Sequence, residues 1–290
     1  MIEDTFKSFD GKELHYYLLE AENAKGVVQI VHGKQEHAGR YAHFMEFLQK
    51  NGYTSFASDL RGHGKSMDDI PGYSEGDIFK EIVNDQLEIT KFLKEKYKLP
   101  VYIFGHSFGS FITQSYITNP TSLASKAVLC GSTCTKSLLY SFGKFFARLT
   151  CTFKGKKHEA KLIENMSLKG YGKKFEDGNW LSRDTENWEK YKKDEFCGQP
   201  FPANFYLSMF KNGAKNYKEL GNIDVPLLII SGTSDPVSGK NAKGAEKLYR
   251  IYKDNGIDVS LILYDRARHE LLNETNKDEV YKDILEFFNK

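Results

Sequence analysis

The chain is poor in cysteine and has no long apolar run. Cys130, Cys134, Cys151 and Cys197 form no Cys-x-x-Cys pair and no Cys/His spacing typical of zinc. That pattern argues against a disulfide scaffold and fits reduced thiols in a cytoplasmic protein. No stretch reaches the roughly 18 apolar residues of a membrane span. The start, Met1-Ile2-Glu3-Asp4, is acidic and lacks the apolar core of a secretory leader. An excess of one charge is missing too: 41 basic residues stand against 39 acidic ones. Neither nucleic acid nor an acidic partner is therefore expected as the main ligand. Internal repeats and low-complexity tracts are absent, and nothing in the sequence signals an oligomeric state.

What is present is enough for a large core. A chain of 290 residues, 40% hydrophobic, can bury one large domain and carry an insertion within it. Asp10-Gly11 between alternating runs at 5–9 and 13–19 predicts an opening antiparallel hairpin. The continuous apolar run Val27–Val31 predicts a buried strand, as does Pro226–Ser231; an apolar run from Val101 meets Gly105, and further strands are expected at Tyr53–Leu60, Ala127–Cys130 and Val259–Tyr264. Helical patterns fall between them, at 77–97, at about 241–254 and at 277–289. Strands alternating with helices imply a mostly parallel sheet covered on both faces. From about 133 to 221 clear strands disappear, so we expect a core of 1–132 and 222–290 interrupted by a helical cap.

The chemistry concentrates where an apolar strand meets Gly105-His106-Ser107-Phe108-Gly109. Gly-x-Ser-x-Gly between strand and helix predicts a nucleophile elbow, a sharp turn that lifts the serine out of the sheet edge. Gly105 and Gly109 leave room for the backbone to pass. As a five-residue string the motif is weak, and its alternative is an ordinary tight turn. Two distant residues strengthen it. Asp235 follows the strand ending at Ser231, and His269 follows the strand ending at Tyr264. Serine, acid, histidine is the chain order expected of such a sheet, and all three lie at strand C-terminal ends, where open α/β sheets bind ligands.

The roles follow from chemistry. Ser107 needs a base, His269 would take its proton, and Asp235 would fix the histidine tautomer. Asp265 is the rival acid. Oxyanion donors are expected from the backbone N–H of Phe108 and of Lys34, in the loop His32-Gly33-Lys34. His32, His37 and His63 sit on loops at the same edge and would line or brace the site, or serve as ordinary structural histidines. Strand alternation should turn His106 away from the serine.

Within the expected cap, Leu138, Leu139, Phe142, Phe145, Phe146 and Leu149 recur at helical spacing. They would guide an acyl chain or touch a lipid surface, or, the reading we favour for most of them, pack inward. Trp180–Phe201, with Asn187, Trp188, Tyr191 and Asp194, would shape the leaving-group side or form a surface helix. Phe205, Leu207, Met209 and Phe210 are expected to pack beneath.

Four motifs, taken in order, resemble one branch of the α/β-hydrolases, that of monoacylglycerol lipases and lysophospholipases. They are His32-Gly33-x-x-Glu36-His37-x-x-Arg40-Tyr41, Asp59-x-x-Gly62-x-Gly64-x-Ser66, Gly105-His106-Ser107-x-Gly109 and Ser231-Gly232-x-x-Asp235-Pro236-Val237. The resemblance spans about 27–271 but not the cap in detail. It implies the α/β-hydrolase fold, a serine esterase with neither metal nor organic cofactor, and a small acyl ester as substrate. It carries the nucleophile, acid and base onto Ser107, Asp235 and His269. Lys34-Gln35 departs from the small residues usual after His-Gly, and Phe108 from the commoner methionine; both would narrow the acyl site. Three readings compete: a single-chain lipid esterase, a small-peptide or amide hydrolase, and a binding protein on an inactive hydrolase fold.

Overall fold

The computed structural model describes residues 1–135, 138–166, 170–213, 216–217 and 219–290, with the backbone alone at Leu138 and Leu139. Eight strands form one sheet in the order β1-β2-β4-β3-β5-β6-β7-β8. They are β1 (Ile2–Lys7), β2 (Glu13–Leu19), β3 (Gly26–Val31), β4 (Tyr53–Ser58), β5 (Val101–His106), β6 (Lys126–Cys130), β7 (Leu227–Gly232) and β8 (Val259–Tyr264). β1 and β2 pair antiparallel, as does β2 with β4, while β3 to β8 run parallel. The first strand begins earlier than expected. It is the exposed sheet edge, and Glu3 and Asp4 leave no alternating signal there.

Alternation explains why the strands read as continuous apolar runs. Val28, Ile30, Phe104, Val128, Leu228 and Ile230 face helices α1 (Ala42–Lys50) and α10 (Lys277–Asn289). Val31, Ile103, Ala127, Leu129, Leu227 and Ile229 face α2 (Ile78–Tyr97), α3 (Phe108–Ile117) and α9 (Lys243–Asp254). Both faces are covered, so both sets of positions are apolar; the buried Gln29 of β3 is accommodated by donating to Gln86 and accepting from Thr90 of α2. Each fully buried Leu, Ile or Phe contributes about 1.5–3 kcal/mol.

Strand order reverses around β3, which lies between β4 and β5. Connections leaving β3 and β5 therefore diverge, and a crevice opens at their C-terminal ends. Val31 pairs with Gly105 in this register, so the loop after β3 and the turn after β5 lie side by side.

Between β6 and β7 the chain is helical. It forms α4 (Leu138–Lys154), α5 (Lys161–Glu164), α6 (Gly170–Gly172), α7 (Thr185–Lys193) and α8 (Ala203–Gly213). Asp184 caps α7, accepting the N–H groups of Glu186 and Asn187 at 2.9 and 3.1 Å, and Lys190, Lys192 and Lys193 close it. α8 is joined to the core by the Ser208 hydroxyl, which bonds Asp77 and accepts the N–H of Phe79. Phe205 is fully buried, with Leu207, Met209 and Phe210 partly so.

The inward packing expected of the α4 aromatics is corrected here. Phe142, Phe145 and Phe153 are 58%, 56% and 80% exposed, and Leu149 is exposed with them. The reason lies on the opposite stripe. α4 meets α8 along Tyr140, Gly143, Ala147 and Cys151, and Phe210 sits so close to Gly143 that a Cβ there would lie 2.6 Å from the ring. Close approach through small residues uses up the inner face and leaves the phenylalanines outside. Leu138 and Leu139 side chains lie outside the described residues.

Candidate active site

Ser107 follows β5 directly and precedes α3 with φ 53° and ψ −117°. A non-glycine residue in this region is strained by about 1–3 kcal/mol and persists only where its surroundings hold it. Here they do. Its N–H donates to Cys130 O at 2.9 Å, and its carbonyl accepts the Ser110 N–H at 2.9 Å. A Cβ at Gly109 would collide with the Val31 carbonyl, and one at Gly105 would lie 2.6 Å from Gly109 O. Both glycines thus permit the close helix-to-strand approach that makes the turn sharp.

Asp235 and His269 converge beside it. Asp235 is fully buried and accepts the Nδ1–H of His269 at 3.0 Å. Burial alone would raise its pKa. The histidine's charge and hydrogen bond, the Val237 N–H and the Ser238 hydroxyl outweigh that and hold the carboxyl below its usual range. With Nδ1 bound to a carboxylate, His269 Nε2 is left as the free lone pair, and among the described residues it has no hydrogen-bond partner. The imidazole packs over Gly131, where a Cβ would lie 3.0 Å from Cε1. Since Cys130 O holds the Ser107 N–H, serine and histidine flank the same two residues. Asp265, by contrast, is 81% exposed and pairs with Arg266; it takes no part.

The loop after β3 supplies the other wall. Gly33 must be glycine: an added Cβ would lie 2.5 Å from Glu36 Oε1, 3.1 Å from His106 Nδ1 and 3.2 Å from Ser107 Cβ. The backbone N–H groups of Lys34 and Phe108 have no hydrogen-bond partner among the described residues. The Lys34 side chain does not fill the site; its Nζ reaches back to the Tyr206 hydroxyl of α8 at 2.7 Å. Burial pulls this amine down to about 8, against the pull of the Glu164 carboxylate. Phe108 packs edge-on to Phe79, tilted on Phe205 and stacked on His63.

Residues quoted from the sequence only within a motif, or passed over, hold this arrangement. Glu36 is buried and accepts four hydrogen bonds: Gly33 N–H at 2.6 Å, Arg40 at 2.7 Å, and the Tyr41 hydroxyl and His106 Nδ1 at 2.9 Å. Burial opposes its ionisation, but His106 and Arg40 hold it well below the usual carboxylate range. Arg40 also grips Glu270 through two bonds of 2.7 Å. The available signal was an acid and a base four apart straight after His-Gly, and an acid straight after His269.

The histidines separate cleanly. His106 is not turned away from the site: besides binding Glu36, its ring centre lies 4.9 Å from that of His269. Strand alternation fails there because the strand ends and the elbow begins. Burial would lower its pKa, but Glu36 more than offsets this and raises it. The sign then follows. Stability from this pair is complete below the ordinary histidine value of 6.5 and is lost as pH rises through the higher folded value. The melting-temperature advantage of wild type over His106→Asn should therefore shrink as pH increases past that point; a gap that widens would refute the assignment.

His32 is buried, accepting the Leu60 N–H and donating to Gly33 O, both at 2.8 Å, and so ties two loops together. Burial lowers His63 to about 3 and keeps it neutral. His37 bonds Asp194 at 2.9 Å, away from Ser107. Trp180 reaches the site, its ring centre 5.0 Å from that of His269. Asn187 bonds Glu270, and the Tyr191 hydroxyl bonds Gln35 O. That stretch is thus more than a surface helix.

The reversal at β3 and the elbow after β5 define an α/β-hydrolase. A family model described as "Serine aminopeptidase, S33" matches residues 22–276, and the chain belongs to that family. It is 26% identical to the monoglyceride lipase homolog of monkeypox virus, covering 90% of this chain and 87% of that one. It is 27% identical to the monoglyceride lipase of Saccharomyces cerevisiae, covering 98% and 92%. Among solved structures, a thermostable carboxyl esterase of Bacillus coagulans in complex with glycerol superposes with a TM-score of 0.86 at 25% identity, covering 99% and 97%. No described helix is long and apolar enough to cross a membrane.

Proposed function

We propose that the chain is a serine hydrolase of carboxylic esters, acting on single-chain lipids of the monoacylglycerol or lysophospholipid type. The observation that carries this is a strained serine beside a buried His269–Asp235 pair whose Nε2 is free. His269 Nε2 takes the Ser107 proton as Oγ attacks the ester carbonyl. The N–H groups of Lys34 and Phe108 receive the oxyanion. Collapse expels the alcohol, protonated by His269, and leaves an acyl group on Ser107. Water activated by the same imidazole then releases the acid. Asp235 stays ionised and stabilises each imidazolium. In the resting geometry the serine–histidine bond is not made, a looseness common before substrate binds.

The test uses a fluorophosphonate probe and a substrate panel. The probe should label Ser107, and monoacylglycerols or lysophospholipids should be turned over faster than aminoacyl amides. The family's aminopeptidase description makes amide cleavage the second reading, and a preference for amides would establish it. Failure of Ser107 to label would favour a binding protein.

We further propose that the segment 133–221 is a cap whose α4 touches a lipid surface. Its outward Phe142, Phe145 and Phe153 lie among exposed Lys144, Arg148, Lys154, Lys156 and Lys157, a pairing of apolar face and basic rim suited to anionic lipid. Phe145→Asp with Phe153→Asp should weaken sedimentation with phosphatidylglycerol vesicles about tenfold or more, leaving hydrolysis of a soluble p-nitrophenyl ester intact. Unchanged vesicle binding would end the proposal.

A further inference from the structure

Three side chains outside the ester chemistry come together where the loop after β3 meets the end of α7. They are His37, Asp194 and Cys197, and one donor atom from each lies within 4.8 Å of the others. Asp194 and Cys197 share a turn closed by the Cys197 N–H on Asp194 O at 3.1 Å. The Phe196 N–H, at 2.9 Å, fixes one carboxylate oxygen. The other oxygen faces His37 Nε2 at 2.9 Å. All three residues are half-buried. His37 and Asp194 also line a cavity of about 330 Å³ open to solvent, which gives an ion access and room for water.

Imidazole, carboxylate and thiolate are the donor types zinc takes, and three protein ligands plus water make a tetrahedral set. Bond lengths of about 2.0–2.3 Å require the sulfur to close on the other donors by on the order of 1 Å and the His37–Asp194 pair to open slightly, small shifts for a half-exposed turn. Arg40, Lys190 and Lys277 share the cavity wall with Asp184, Glu186 and Asp194, and the first two cations are paired. Arg40 is bound by both Glu36 and Glu270, and Lys190 pairs with Glu186 at 2.8 Å. Burial keeps the Cys197 thiol protonated, against the pull of Arg40; a divalent cation of thiophilic character removes that proton outright.

We propose that His37, Asp194 and Cys197 bind one zinc-class cation, apart from the catalytic machinery. Binding forms one bond each to nitrogen, oxygen and sulfur and retains a water. The Cys197 sulfur gives up its proton to solvent, the His37–Asp194 hydrogen bond breaks as the imidazole proton passes from Nε2 to Nδ1, and no electron is transferred. The ion fastens the 194–197 turn to the loop after β3. Gly198 N–H and the Tyr191 hydroxyl already bond Gln35 O there, at 2.9 and 3.2 Å, next to Lys34. The proposal does not depend on which bond the enzyme cleaves.

The experiment uses the full, untagged, metal-stripped chain with Zn²⁺ and Co²⁺ as probes. Calorimetry should show one Zn²⁺ per chain with a proton released. Co²⁺ should give the near-ultraviolet charge-transfer band of a thiolate ligand. Cys197→Ser should abolish that band and weaken Zn²⁺ binding about 100-fold or more, with Asp194→Asn weakening it at least tenfold. Thermal melts of the metal-free variants check folding. If Cys197→Ser does not fold, the wild-type cobalt band and Asp194→Asn decide. No thiolate band in wild type, or wild-type Zn²⁺ affinity in a folded Cys197→Ser protein, overturns the proposal.

Discussion

Ser107→Ala should lower kcat on a p-nitrophenyl ester by about 10⁴-fold or more, with KM little changed, while the protein keeps its fold. The magnitude follows from losing the attacking oxygen. A companion substitution separates chemistry from stability. Ser107 holds φ 53°, a conformation glycine adopts without steric cost. Ser107→Gly should be equally inactive and about 1 kcal/mol more stable, raising the melting temperature by about 2–4 °C. Activity surviving in either variant would remove Ser107 as nucleophile. A lower melting temperature in the glycine variant would remove the strain argument.

Glu36→Gln should cost about 10²-fold in kcat and about 3–5 kcal/mol of stability. Glutamine keeps the shape but not the charge, so Arg40 and His106 each lose an anion while buried. Gly33 N–H loses its charged acceptor, and with it the geometry of the Lys34 N–H beside it. Glu36 is a positioning residue, so its signature should fall on kcat more than on KM. The pH sign is fixed by its lowered pKa. Its contribution is present above the ordinary carboxylate range and disappears as pH falls through the depressed value. The stability gap between wild type and Glu36→Gln should therefore close in acid. A variant with unchanged kcat, or a gap independent of pH, would show that the oxyanion loop does not rely on this carboxylate.

The sequence was most informative where burial is two-sided. β3, β5 and β7 read correctly because strands buried on both faces are mostly apolar, and β8, at the far edge of the sheet, because Leu261, Ile262 and Leu263 are still half-covered. β1 was misplaced because an exposed edge imposes no such pattern. Ser107, Asp235 and His269 were legible because each follows a strand, so topology alone predicts a shared rim. Glu36, Arg40 and Glu270 were quoted as a motif or passed over, since nothing in a string of letters says that a glutamate will collect four donors. His37 and Cys197 were invisible as neighbours, because spacing along the chain says nothing about residues brought together by the helical segment between β6 and β7. The outward turn of Phe142, Phe145 and Leu149, the reading not favoured from the sequence, has another reason. Hydrophobic spacing marks an apolar face but not the rival stripe of small residues that claims the helix contact.

The helical segment is attached unequally at its two ends. Near Trp180 it is stitched to the histidine loop: Glu270 N–H meets Leu181 O at 2.7 Å, Ser182 meets Asn273 O at 2.6 Å and Arg183 meets Glu274 at 2.9 Å. α4 instead rests mainly on α8, another member of the same segment, and reaches the core through the Tyr140 ring against Phe111 of α3. Replacement of the stitched part would drag His269 with it, whereas α4 could be traded between relatives like a detachable tool head. Divergence in diet among such enzymes is thus expected to accumulate in 138–154 and to spare 179–183.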